Sequence, residues 1–140
     1  MLDGSRLVAV HETAHQWFYA MVGDSQALHP WLDEGFAVYG EELVNHDQPQ
    51  DGALGAPGPV DASTESYGYD ANDYYFLTYN KAAAALFAAR EAAGAELFDA
   101  ALRCYVAHNA WQIANPPDLR AALQDLPAAI TQLEQAGALH

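Results

Sequence analysis

The run His11-Glu12-Thr13-Ala14-His15 limits what this chain can be more than any other five residues in it. On a helix its two histidines stand four residues apart, so both imidazoles leave one face a single turn from each other. That is the spacing two neutral imidazoles need to share one zinc ion at roughly 2.0–2.1 Å each. Glu12 lies too far round the helix to join them as a ligand, yet it can reach a water on the metal and act as a general base. The plain alternative is two histidines that merely fall on one helix face. Leu7, Val8, Ala14 and Phe18 recur at helical spacing around the motif. They predict a first helix over 3–22, capped by Asp3 or Ser5 and ended by Gly23 and Asp24.

The remainder reads as helix and loop, without a convincing strand. A second helix is expected over about 32–45, after Pro30. Between 47 and 70 glycine and proline punctuate a run without periodicity, which predicts a long loop of the kind that often forms a lid or binding loop. Tyr67, Tyr69, Tyr74 and Tyr75 cluster at its end. A third, Ala-rich helix runs to about 93 from a cap at Asp73 or Asn72, with Gly94 just beyond it. A fourth covers 95–109, where Leu97, Phe98, Leu102 and Tyr105 form an apolar stripe around Cys104, a packed thiol. Short helices over 119–126 and from Pro127 to Gly137 complete an all-α chain. Zinc-ligand helices over 1–46, a loop over 47–72 and a helical remainder over 73–140 make up one domain.

A hydrolytic zinc site takes three protein ligands and leaves one position open. Glu34 is the best third candidate, because it opens the next helix in apolar surroundings with 18 residues between it and His15. His29, His46 and His108 are weaker ones; His29 reads as a capping or solvent histidine. Glu41 is two turns on from Glu34 and shares its face, so it can accept the N–H of a ligating histidine and fix the ring.

Charge narrows the partners. Lys plus Arg total 5 against 19 Asp plus Glu, a formal net charge of −14, so nothing here neutralises phosphates and nucleic acid is excluded. No stretch is long and apolar enough to be a membrane segment. A single cysteine leaves neither an intramolecular disulfide nor a cysteine-based metal site.

His-Glu-x-x-His, 18 residues, then Glu is the ligand signature of the gluzincin metallopeptidases. His11-Glu12-Thr13-Ala14-His15-Gln16-Trp17-Phe18 with Trp31-Leu32-Asp33-Glu34-Gly35-Phe36-Ala37 resembles the M1 aminopeptidase family, which usually has Asn where Asp33 stands. Tyr79-Asn80-Lys81-Ala82 is similar to the family's Tyr-x-Lys-Gly helix, with Ala82 a minor packing change. The resemblance implies the helical subdomain of a thermolysin-like catalytic domain, with about five or six helices and a long loop. It implies Zn2+ on His11, His15 and Glu34, a water polarised by Glu12, and a peptide substrate. It also makes Tyr79 the phenol that stabilises the oxyanion; by itself Tyr79 reads as a core tyrosine, and Lys81 reads equally well as a solvated helix lysine. The family's Gly-x-Met-Glu-Asn segment, which holds the substrate's amine, is not in these residues, nor is the sheet that precedes the zinc helix. The expectation is therefore a piece of a longer enzyme that lacks the N-terminal part of its catalytic domain and is able to self-associate through an uncovered apolar face. The competing expectation is a catalytically incomplete zinc-binding helical module.

Overall fold

In a computed structural model, which describes residues 4–68 and 70–140, helices carry the fold. Among the described residues there is no strand, only the isolated bridges Phe18–Val22 and Gly23–Ile113. In chain order the helices are α1 (Gly4–Ala14), α2 (Glu34–Asn45), α3 (Ala71–Tyr75), α4 (Ala82–Ala93), α5 (Ala95–Asn109), α6 (Pro116–Ala122) and α7 (Pro127–Gln135). A π-helical turn, Phe76–Lys81, joins α3 to α4, so 71–93 is one helix with a widened middle. No helix among the described residues is long and apolar enough to cross a membrane.

The Ala-rich α4 is the centre of the packing. Ala82, Ala83, Ala85, Leu86 and Ala89 are fully buried, and the small side chains let α2, α5 and α7 close around the helix. Trp31, Phe36, Phe98 and Tyr105 fill the larger spaces, with Phe36 stacked on Phe18 at 4.4 Å between ring centres. At the α4–α5 corner Gly94 has φ 88° and ψ 129°, a conformation that side-chain-bearing residues avoid. By contrast α1 buries none of its residues and packs on α2, where a Cβ on Gly40 would meet that of Ala14 at 3.3 Å.

Several boundaries differ from expectation. The first helix stops at Ala14, well before residue 22. Beyond it the N–H groups of Ala20, Met21 and Val22 reach back five residues, to His15, Gln16 and Trp17, and Tyr19 takes φ 117°. The apolar spacing ran on to Phe18 because that ring packs on α2, not because the helix continues. Of the two expected caps, Asp3 lies outside the described residues. Asp70, rather than Asp73 or Asn72, caps α3, accepting the N–H groups of Asn72 and Asp73 at 3.0 and 3.1 Å. α6 begins earlier than 119, at Pro116, whose missing N–H costs nothing in a first turn. Cys104 is exposed, not packed, because the buried stripe of α5 is Phe98, Leu102, Tyr105 and Asn109.

The long loop is a strap tied down along its length. Ala53 and Val60 are fully buried. The N–H groups of Val60 and Asp61 donate to Ala136 and Gly137 at the end of α7, at 3.1 and 2.8 Å. Lys81 is only 5% exposed and donates to the carbonyls of Ala56 and Gly58 at 2.7 and 2.6 Å. Asp61 accepts from the Trp31 indole at 3.1 Å and lies 2.6 Å from His29 Nδ1, so His29 is paired rather than free in solvent.

Candidate metal centre

Three of these elements bring His11, His15 and Glu34 together. The last turns of α1 present His11, the bend after it His15, and the first residue of α2 is Glu34. One Glu34 oxygen lies 3.2 Å from His11 Nε2 and 3.5 Å from His15 Nε2. A tetrahedral zinc with bonds of roughly 2.0–2.1 Å has ligand–ligand edges of about 3.3 Å, so these separations fit such an ion. Among the described residues this is the one set of three or more His, Cys, Asp or Glu whose donor atoms converge, all within 4.8 Å of one another. His29, His46 and His108 are not part of it.

The remaining ring nitrogens face acceptors. Glu41 Oε2 lies 3.3 Å from His11 Nδ1. Asp33 Oδ1 lies 2.5 Å from His15 Nδ1 without good hydrogen-bond geometry, and the Phe18 carbonyl is 3.4 Å from the same atom. Asp33 is 1% exposed and its other oxygen accepts from Gln26 at 2.8 Å. Both Nε2 atoms are thereby left to the metal position, the arrangement by which outer carboxylates orient ligating imidazoles.

Electrostatics bind the set to Tyr79. Burial pushes the Glu34 carboxyl up, but hydrogen bonds from His11 and Tyr79 and the nearby imidazoles outweigh it and hold it below its ordinary value. His11 is raised, chiefly by its hydrogen bond to Glu34 against the opposing effect of burial. The Tyr79 phenol is pushed far up by burial first and by the Glu34 carboxylate second, so it stays protonated at neutral pH. Its ring lies parallel to that of His11, 6.2 Å away, and stacks on Tyr75 at 4.6 Å. Glu12 is exposed, and it lines a cavity of about 430 Å³ together with His11, Glu41, Tyr75 and Tyr79.

A family model, the peptidase family M1 domain, matches residues 4–136. The chain belongs to peptidase family M1. Aminopeptidase M1 of Arabidopsis thaliana is 28% identical over 84% of this chain, and the match takes up 15% of that protein. Putative aminopeptidase-2 of Caenorhabditis elegans is 28% identical over 97% of the chain, which is 8% of its own length. Among solved structures, an M1 zinc metallopeptidase of Deinococcus radiodurans, a glutamate-to-alanine mutant bound to a Tyr-Ser-Ala substrate, superposes with a TM-score of 0.75. That pair is 26% identical and covers 96% of this chain and 33% of the other. The chain thus spans a small part of the curated relatives it matches.

Asp33, which in the motif stands only as a replacement for Asn, is the one residue beside the donors that the sequence pattern does not single out. The available signal was its place: an acidic residue directly before Glu34, between Leu32 and Phe36, has no solvent to face. Of the tyrosine cluster, Tyr74 and Tyr75 surround Tyr79, Tyr67 meets Tyr74 edge-on at 5.4 Å, and Tyr69 lies outside the described residues.

Proposed function

We propose that this chain is the zinc-holding helical part of a metalloaminopeptidase, and that His11, His15 and Glu34 bind one Zn2+ for hydrolysis of the N-terminal peptide bond of a substrate. The observation that carries the reading is convergence: three donors meet at one point, and Glu12 and Tyr79 border the cavity beside it. Zinc bound there supplies a Lewis acid and a water whose pKa falls to about 7. Glu12 takes a proton from the attacking water and delivers it to the leaving amine. The Tyr79 phenol, kept protonated by its surroundings, donates a hydrogen bond to the oxygen that gains negative charge. Glu41 and Asp33 hold the two imidazoles in orientation. The relatives named as aminopeptidases and the solved zinc metallopeptidase support the reaction class.

A second reading has its own observation. The outer face of α1 is uncovered, and Ala9, Val10, Trp17, Phe18 and Val44 line an apolar groove along it. In this reading residues 1–140 form a zinc-binding helical module that is catalytically incomplete, and further parts of an M1 catalytic domain, or a second copy, cover that face. The 1–46 ligand helices, the 47–72 strap and the 73–140 remainder then work as one scaffold for the metal.

Elemental analysis of this chain should find about one zinc per molecule, lost in His15→Ala. Hydrolysis of amino-acid amides by this chain and by a full-length M1 protein containing it then separates the two readings. In whichever form turns over, Glu12→Gln should retain zinc and lose hydrolysis; near-normal turnover in that variant removes Glu12 from the mechanism.

A further inference from the structure

Where the element that carries Glu34 packs against the turn that carries Tyr79, a glycine stands at the contact. Gly35 is buried directly after Glu34, and a Cβ built on it would lie 2.5 Å from the Cβ of Ala82 and 3.2 Å from the carbonyl oxygen of Thr78. Neither atom can rotate away, since one is a Cβ and the other is main chain. Thr78 and Ala82 are themselves fully buried. Thr78 immediately precedes Tyr79, and the N–H of Ala82 closes the π-helical turn on the carbonyls of Leu77 and Tyr79. The contact therefore joins α2 one residue from Glu34 to the turn that holds Tyr79, whose phenol is near enough to the Glu34 carboxylate for that charge to push its pKa up.

We propose that Gly35 is a positioning residue: its missing side chain sets the spacing between Glu34 and Tyr79, and a methyl is admitted at position 35 or at position 82 but not at both. Carbon atoms in ordinary contact stand about 3.5–4.0 Å apart, so a methyl at 35 facing Ala82 forces the two elements apart by about 1 Å. The turn cannot absorb this by moving outward freely, because Lys81 ties it to Ala56 and Gly58, and Leu77 packs on Gly58, where a Cβ would meet its Cδ1 at 2.9 Å. The displacement falls on the Glu34–Tyr79 pair. With glycine at 82 the 2.5 Å clash is gone, and what remains is the 3.2 Å approach to Thr78, which needs a shift of a few tenths of an ångström.

The role in turnover rests on the reading of Tyr79 and Glu34 given above, so the test has one arm that needs no activity. The chain is labelled with 3-fluorotyrosine, and the Tyr79 fluorine resonance is assigned by its loss in Tyr79→Phe. Glu34→Gln should shift that resonance in the otherwise wild-type chain. Gly35→Ala should abolish this Glu34-dependent shift, and Gly35→Ala/Ala82→Gly should restore it, with Ala82→Gly alone close to wild type. In a form that turns over, Gly35→Ala should lower kcat by about 10²-fold with a smaller change in KM, and the double variant should recover to within a few-fold. A Glu34-dependent shift of wild-type size in Gly35→Ala overturns the proposal. So does a folded double variant that fails to recover it, which also decides the matter if Gly35→Ala alone does not fold. The fluorine pattern without hydrolysis in any form would instead overturn the peptidase reading and leave the spacing role standing.

Discussion

Replacing Lys81 by Met removes a charge while keeping most of the shape, and its consequences can be worked from two distances. The ammonium is 5% exposed and donates at 2.7 Å to Ala56 and at 2.6 Å to Gly58. Burial lowers its pKa, which records that the charge is held at a cost and offset only by these carbonyls. A hydrogen bond to a charged group contributes about 1.5–3 kcal/mol, and two are lost here, to the carbonyls of half-buried Ala56 and exposed Gly58. The thioether no longer needs desolvating as a charge, which returns part of that sum. The expected loss is about 3 kcal/mol, equivalent to roughly 6–12 °C in Tm for a chain of this size. Urea denaturation of wild type and Lys81→Met measures it directly. Because the lost bonds hold the strap, part of the change should appear as local opening. Subtilisin should cut within 47–60 about 10²-fold faster, since 3 kcal/mol is about two decades in the open population. Wild-type cleavage with a stability change under about 0.5 kcal/mol, the range of an ordinary surface substitution, would refute the reasoning.

Two further outcomes follow from the same geometry. Glu41→Ala and Asp33→Ala should each weaken zinc binding about 10–100-fold, measured by competition with a chelating dye, because each removes the acceptor beside one imidazole; unchanged affinity in both would mean that the ring orientation is set elsewhere. Burial first, and the charge of Asp33 second, push Asp24 up to about 7 from 3.8. Its folded form thus binds a proton more tightly than the unfolded chain does, so its contribution to stability is full below about pH 4 and is lost as pH rises through about 7. In metal-free protein the wild type should lose stability over that window relative to Asp24→Asn, and parallel pH profiles for the two would contradict the assignment.

What the sequence decided by itself were the features whose cause is local. Helical spacing alone put His11 and His15 on one face, and α5 begins and ends where its apolar stripe and its flanking Gly94 require, over Ala95–Asn109. The all-α class followed from the same periodicities, as did Glu34 as the partner of the two histidines, because an acidic residue opening an apolar helix needs a counterpart. Tyr79 was different: its own neighbourhood read as core, and only the resemblance to a known family singled it out. Tertiary structure decided whatever depends on residues distant in the chain. α1 ends at Ala14, and Phe18 beyond it stacks on Phe36, a contact invisible to a helical count. Lys81 is buried because a loop more than twenty residues earlier offers it two carbonyls. Asp33 serves His15, and the glycine after Glu34 meets Ala82, for the same reason: packing brings α1, α2 and the π-helical turn to one point. Periodicity predicts which face of a helix turns inward, but not what will be waiting there.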